Sequence, residues 1–358
     1  MMKTISFRTD ANSQIGAGHV VRCLSIAYAC RQQGMRTIFL VSDGESEAYI
    51  NKLTTQDPSL APDEVVVLHS DDEKPHTEIA GMIETSSILL LDSYAFDNTY
   101  INRLKAASAG NTRIAIIDDF SRADLNADII INYMPKGKEV HYKNADLVLA
   151  GLSYAPLRPQ FAEGAKDESV GTGTLTHFSV RGAQPVRSAE KRVSVPVPHD
   201  SSPRILISTG GADRYHMRDA ICECIPLTHS LTPVVADGSI ADMATLMKSC
   251  DLAITAGGST LIELCATGTP AIVFTVADNQ LPQVRPLAEQ GVISFAGSIG
   301  DGDETHVTAE RAAVLKNIKT LLDDLLSDAE KRSAMSEKMR SLVDGRGAER
   351  IATALQNA

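Results

Sequence analysis

The first 160 or so residues alternate short apolar runs with longer segments of helical spacing. Runs at 4–8, 36–41, 64–68, 87–91, 113–117 and 127–131 predict strands. A helix is expected over 19–33, stopped by Gly34. The runs Ile88-Leu-Leu-Leu91 and Ile114-Ala-Ile-Ile117 are continuous rather than alternating, and each is followed by Asp. Continuous apolar strands belong to a parallel sheet covered on both faces, with their C-terminal ends opening onto a ligand edge. The alternation lapses over 163–202, where Gly171-Thr-Gly-Thr174 and Pro196-Val-Pro198 mark a linker or insertion. It resumes with strands at 205–208, 233–236, 252–255, 271–276 and 292–295. Helices are expected at 241–249, 259–266 and 281–290, and a helical tail from 308. The pattern is α/β: two Rossmann-like domains facing across a cleft, residues 1–162 and 203–358.

Composition narrows the chemistry. A chain of 358 residues holds two domains comfortably, and 43% hydrophobic with 22% charged residues is ordinary globular usage. A net charge of −11 without a basic run argues against nucleic acid as a partner. A small phosphate-bearing ligand stays open, because backbone amides at helix N-termini bind anions without net positive charge. The six cysteines form no C-x-x-C and read as reduced, buried hydrophobes. No apolar stretch reaches the roughly 18 to 20 residues of a membrane helix, and no signal peptide precedes the first strand. A cytoplasmic location without membrane contact is expected, and no metal-ligand cluster is visible.

The turn between the first strand and first helix reads Ser13-Gln-Ile-Gly-Ala-Gly-His-Val-Val-Arg22. Gly16 and Gly18 permit a tight turn and close approach of a ligand. The dinucleotide fingerprint fails, since Val21 stands where a third glycine is required, and no cofactor is expected. His19 falls in the first helical turn, where the helix dipole favours a neutral ring suited to general base work; a packing histidine is the plainer alternative. Asp10, upstream, is placed to orient that ring, or serves as a turn residue. Tyr94, at the end of a buried strand, reaches the site with its hydroxyl or packs at its rim.

A second turn, Ala256-Gly-Gly-Ser-Thr-Leu-Ile-Glu263, also joins an apolar strand to a helix. Gly257 and Gly258 bare the backbone, and Ser259 and Thr260 open the helix where a diphosphate binds well. Glu263 lies on the same helix side as Ser259, placed to accept ribose hydroxyls or merely to stabilise the helix start. Thr209-Gly-Gly211 supplies a third glycine turn through Gly210 and Gly211.

These residues carry a resemblance. Phe7-Arg-Thr-Asp10 through Gln14-Ile-Gly-Ala-Gly-His-Val-Val-Arg-Cys23 resembles the N-terminal signature of UDP-2,4-diacetamido-2,4,6-trideoxy-β-L-altropyranose hydrolases of pseudaminic acid biosynthesis, relatives of the glycosyltransferase-B proteins. It recurs in Leu91-Asp-Ser-Tyr94, Ile117-Asp-Asp-Phe120, Asp128-Ile-Ile-Ile-Asn132, Gly151-Leu-Ser-Tyr154, Leu157-Arg158 and Asp344-Gly-Arg-Gly347. The resemblance implies hydrolysis of a UDP-sugar with inversion and His19 as the base. It implies substrate contacts from Arg22, Asn132 and Arg158, with Glu263 on the ribose and the backbone near Ile240 on uracil. Asn279 or Gln280 would reach the sugar or a phosphate.

Two features depart from the family pattern. Only about 30 residues separate Thr209-Gly-Gly211 from Met243, roughly one βα unit too few. Conversely, 163–202 is long for a linker, and Gly210-Gly-Ala-Asp-Arg214 lacks the family's proline. Either the C-terminal sheet is narrower or the excursion replaces the missing unit. The sequence leaves two rival functions open, a UDP-sugar transferase and a non-catalytic UDP-sugar-binding protein.

Overall fold

The computed structural model describes residues 2–12, 16–68, 85–108, 110–162, 203–209, 213, 215–224, 232–235 and 242–358. The insertion at 163–202, Gly210, Gly211 and Ile240 lie outside the described residues. The chain divides into two compact units, Met1–Ala162 with Val343–Ala358, and Glu163–Leu342.

In the first unit, β1 (Thr4–Thr9), β2 (Arg36–Val41), β3 (Glu64–Val67), β4 (Ile88–Asp92), β5 (Arg113–Ile117), β6 (Ile129–Asn132) and β7 (Leu147–Ala150) form one sheet in the order β3-β2-β1-β4-β5-β6-β7. Every pairing is parallel. Every residue of β1, β4 and β6 is buried, which is why these strands read as continuous rather than alternating. Register sets Phe7 against Phe39 and Leu90, and the two phenyl rings stack at 5.0 Å. Chain order reverses between β1 and β4, so a crevice opens at the C-terminal ends of these strands, the ligand position of doubly wound sheets. Helix α1 (Gly18–Gln32) leaves from that edge. Helices α2 (Gly44–Gln56) and α3 (Asn98–Ala107) start on Asp43 and Asp97, whose carboxylates accept from Ser46 and Tyr100 amides. Hydrophobic periodicity predicts neither of these two helices, nor the short edge strand β7.

The second unit holds β8 (Arg204–Ser208), β9 (Thr232–Val235), β10 (Leu252–Ala256), β11 (Ala271–Thr275) and β12 (Ser294–Ser298), ordered β12-β11-β10-β8-β9 and again parallel. Its reversal falls between β8 and β10. Its helices are α4 (Met217–Cys224), α5 (Met243–Lys248), α6 (Ser259–Thr267), α7 (Leu281–Glu289), α8 (Glu304–Ser327) and α9 (Ala329–Leu342). Val314, Ile318, Leu322 and Leu325 form the buried stripe of α8. The last strand starts at Ser294 rather than 292, because Val292 and Ile293, though apolar, are buried in the turn after α7.

The domain boundary needs one correction. The helical tail does not belong wholly to the second unit: α10 (Gly347–Asn357) packs on α1 of the first. Ile351, Ala352 and Leu355 are fully buried, Arg350 Nη1 donates to the Ser153 carbonyl at 2.8 Å, and Lys3 Nζ donates to the Gln356 carbonyl at 2.9 Å. The Asp344–Gly347 turn permits this docking. Gly345 has φ of +75°, and a β-carbon there would stand 2.0 Å from the Phe161 carbonyl oxygen. At Gly347 it would stand 2.1 Å from that of Ala155. No helix among the described residues is long and apolar enough to cross a membrane.

Candidate active site

The first unit gathers ionisable side chains at its chain reversal. His19, in the first turn of α1, is 6% exposed, and its Nδ1 lies 2.8 Å from Asp92 Oδ1 at the end of β4. Arg22, one turn further along α1, donates from Nε to Asp92 Oδ2 at 2.7 Å and from Nη2 to Asp92 Oδ1. Its Nη1 reaches Asp119 beyond β5 at 2.8 and 3.0 Å, and the Tyr133 hydroxyl beyond β6 at 2.6 Å. Tyr94 donates to Asp119 Oδ2 at 3.2 Å, and its ring meets the His19 ring edge-on at 4.7 Å. Every member sits at the C-terminal edge of a strand or the start of the helix leaving it.

Two neighbours compete for His19 Nδ1: Asp92 Oδ1 at 2.8 Å, which can only accept, and Arg22 Nη2 at 3.0 Å, which can only donate. Burial pushes the Asp92 carboxyl up, but the Arg22 guanidinium, His19 and their hydrogen bonds outweigh it, and its pKa ends well below the usual carboxylate range. Asp92 is therefore ionised and can only accept; Arg22 Nη2 already donates to the same carboxylate, so the nearer Asp92 oxygen takes the Nδ1 proton of His19. Nε2 is left with the lone pair, and positive charge arriving on the ring is balanced 2.8 Å away. The Tyr94 phenol is pushed up to about 12, first by burial and then by Asp119, so it remains a donor at neutral pH.

Several sequence-predicted residues have other tasks here. Asp10 does not orient His19. It accepts from Arg8 Nη1 at 2.6 Å and from the Ser42 amide at 2.7 Å, joining the ends of β1 and β2, and Asp92 takes the role expected of it. Arg22 is not a free substrate contact, because all three of its nitrogens are engaged by Asp92, Asp119 and Tyr133; it positions the acids. Asn132 is fully buried: its amide donates to Tyr142 and Ser121 and its oxygen accepts from the Met134 amide, so it is scaffold rather than a ligand contact. Arg158 lies over the Phe161 ring at 5.4 Å. Gly16, with φ of +77°, closes the turn by donating to the Asn12 carbonyl at 2.8 Å, and Gly18 opens α1. Asp92, Asp119 and Tyr133 were not singled out as site residues. Their legible signal was an acid or phenol at the end of a buried apolar strand or just past it.

The second unit presents the β10–α6 turn. A β-carbon on Gly257 would stand 2.5 Å from Val284 Cγ2, so packing alone demands that glycine, whereas Gly258 faces open space. Gly258 caps α6 without a side-chain hydrogen bond, and its carbonyl accepts from the Leu261 amide at 3.1 Å. Ser259 is exposed, Thr260 half-buried, and Glu263 buried in the second turn. Gln283, which the sequence did not flag, donates to the Gly258 carbonyl at 3.0 Å and steadies the turn. Gln280 is tied down, its amide oxygen accepting from the Val276 amide at 2.9 Å, while Asn279 is exposed. Thr209, at the neighbouring end of β8, is buried, and its hydroxyl makes no hydrogen bond among the described residues.

No protein-family model matches the chain. It is 23% identical to the spore coat polysaccharide biosynthesis protein SpsG of Bacillus subtilis, over 97% of this chain and 96% of that protein. A stretch of 65 residues, 18% of this chain, is 35% identical to the pseudaminic acid cytidylyltransferase and UDP-2,4-diacetamido-2,4,6-trideoxy-β-L-altropyranose hydrolase of Helicobacter pylori, covering 12% of that protein. Over 44% of the chain there is 29% identity to the UDP-N-acetylglucosamine–N-acetylmuramyl-(pentapeptide) pyrophosphoryl-undecaprenol N-acetylglucosamine transferase of Xylella fastidiosa, 43% of its length. Among solved structures, the UDP-GlcNAc 2-epimerase of Neisseria meningitidis bound to UDP-GlcNAc superposes over both full chains with a TM-score of 0.59 at 11% identity. Arabidopsis thaliana UGT89C1 complexed with quercetin covers 99% of this chain and 100% of its own, with a TM-score of 0.56 at 10% identity. Together with the two doubly wound parallel sheets, these likenesses identify the fold as the glycosyltransferase-B type.

Proposed function

We propose that the chain hydrolyses a UDP-linked 2,4-diacetamido-2,4,6-trideoxy sugar to UDP and the free sugar. The observation that carries the reading is the His19–Asp92 pair, in which a fixed Nδ1–H leaves Nε2 as an oriented base. Nε2 takes a proton from water as the water oxygen bonds to the anomeric carbon. The bond from that carbon to the diphosphate oxygen breaks, and UDP leaves with the electron pair. Attack opposite the leaving group inverts the centre. In this reading the α6 amides and Ser259 and Thr260 receive the diphosphate, and Glu263 the ribose. The Helicobacter pylori relative supports hydrolysis of this sugar, and the full-length likeness to SpsG supports polysaccharide-precursor chemistry.

The partial match to the Xylella fastidiosa transferase favours a second reading, in which an acceptor hydroxyl replaces water. Incubation with a panel of UDP-sugars and assay of free UDP separates the two. Release without acceptor is expected; release only when an acceptor is added supports the transferase instead. His19→Asn should lower turnover by about 10² to 10⁴ with UDP affinity little changed. A variant retaining more than half of wild-type turnover would remove His19 as the base.

A further inference from the structure

Among the described residues only four large hydrophobic side chains are exposed, and two of them, Tyr94 at 45% and Phe120 at 43%, touch each other beside His19. Singly scattered apolar side chains are ordinary on a surface, but two exposed rings in contact beside a buried histidine form an apolar face that a ligand can cover. The Tyr94 and Phe120 rings meet edge-on at 4.8 Å, continuing the edge-on contact of His19 with Tyr94 at 4.7 Å.

The loop that presents Phe120 is held firmly for a segment whose product is an exposed ring. Asp118, fully buried, accepts from the Phe120 amide at 3.2 Å, the Arg122 amide at 2.7 Å, Arg122 Nε at 3.0 Å and the Tyr142 hydroxyl at 2.7 Å. Ser121 is in the left-handed region with φ of 58°, which a serine adopts where its surroundings impose it. Its Oγ accepts from Asn132 at 3.1 Å. The Arg122 guanidinium backs the Phe120 ring at 5.9 Å. Tyr94 is fixed as well, between His19 and its hydrogen bond to Asp119.

We propose that Phe120, buttressed by Tyr94, is the surface that seats the apolar C5–C6 edge of a 6-deoxy sugar next to His19, and so selects 6-deoxy over 6-hydroxymethyl substrates. The proposal rests on the UDP-sugar reading above. A methyl group against an aromatic face loses no hydrogen bond and buries apolar surface. A hydroxymethyl group there gives up part of its hydration to a ring face that offers no hydrogen bond, a partial cost because the rings are half exposed. Phe120 is thus a specificity residue for the proposed reaction, and Asp118 and Ser121 position it.

The test is calorimetric titration in the non-hydrolysing His19→Asn background with UDP-N-acetylglucosamine and its 6-deoxy analogue. The 6-deoxy ligand should bind about 10-fold more tightly, the low end for one group in an apolar site, because the rings are half exposed. Phe120→Ala should erase that preference, and Phe120→Leu, which keeps apolar bulk, should retain most of it. Equal affinities in the parent, a preference that survives Phe120→Ala, or no binding of either ligand overturns the proposal. UDP release by the His19-intact protein is measured separately. An intact binding preference without any release would refute hydrolysis and leave the aromatic seat standing.

Discussion

Replacing Asp92 with Asn tests the electrostatic design of the candidate active site most directly. Asp92 accepts from His19 Nδ1 at 2.8 Å, Arg22 Nε at 2.7 Å and Arg22 Nη2, and it is 1% exposed. An asparagine keeps the shape but has one accepting oxygen. If that oxygen serves Arg22, its NH₂ faces His19 Nδ1 and forces the proton onto Nε2, the nitrogen that must act as base. The expected loss in kcat is about 10² to 10⁴, the range of a misplaced or missing general base. The same change leaves a buried guanidinium with Asp119 as its one charged partner, a cost of about 3 kcal/mol at the lower end for breaking a buried pair. Asp92 titrates below the ordinary carboxylate range, so its contribution to wild-type stability is fully present above about pH 4 and is lost as the pH falls through its depressed value. The stability gap between wild type and variant should therefore narrow on acidification below about pH 4. Turnover is read as UDP release at neutral pH, and stability by urea unfolding across that range. Asp92→Asn with kcat close to wild type and an intact fold would refute the tautomer argument. Asp10→Asn is the control: its partners are Arg8 and the Ser42 amide, so it should lose stability rather than kcat.

Two further outcomes follow from the same geometry. Gly345→Ala should destabilise the protein by about 3 kcal/mol or more in urea unfolding, because a β-carbon there combines a left-handed φ with a backbone clash at 2.0 Å; an unchanged midpoint would show that the α10 docking turn does not depend on it. Glu263, buried in the second turn of α6, should make the protein prefer UDP over 2′-deoxy-UDP by about 5- to 150-fold, and Glu263→Gln should narrow that margin in calorimetric titration. Equal preference in both proteins would leave Glu263 a helix-start carboxylate.

What the sequence determined alone was local and periodic. Ile88–Leu91 and Ile114–Ile117 could only be strands covered on both faces, because no alternating pattern leaves them a wet side. The Gly-rich turns at 16–18 and 257–258 marked where strands hand over to helices, and His19 fell at the first of these. Tertiary structure decided what such patterns cannot carry, namely which partner each group meets. The strand β7, short and half-exposed at the sheet edge, left too weak a period to be read, and α2 and α3 announced themselves mainly through capping aspartates. Helix α10 shows an apolar face, but periodicity does not say that the face belongs to α1, across most of the chain. Asp10 lay nine residues before His19 and was the natural choice to orient it, yet the ring turns to Asp92, 73 residues away in sequence. The strand order explains this: β4 lies beside β1 at the chain reversal and brings Asp92 to the start of α1, while Asp10 is drawn toward β2 by Arg8 and the Ser42 amide. A parallel sheet couples residues by strand adjacency rather than by distance along the chain, so the base was visible in the sequence and its acid partner was not.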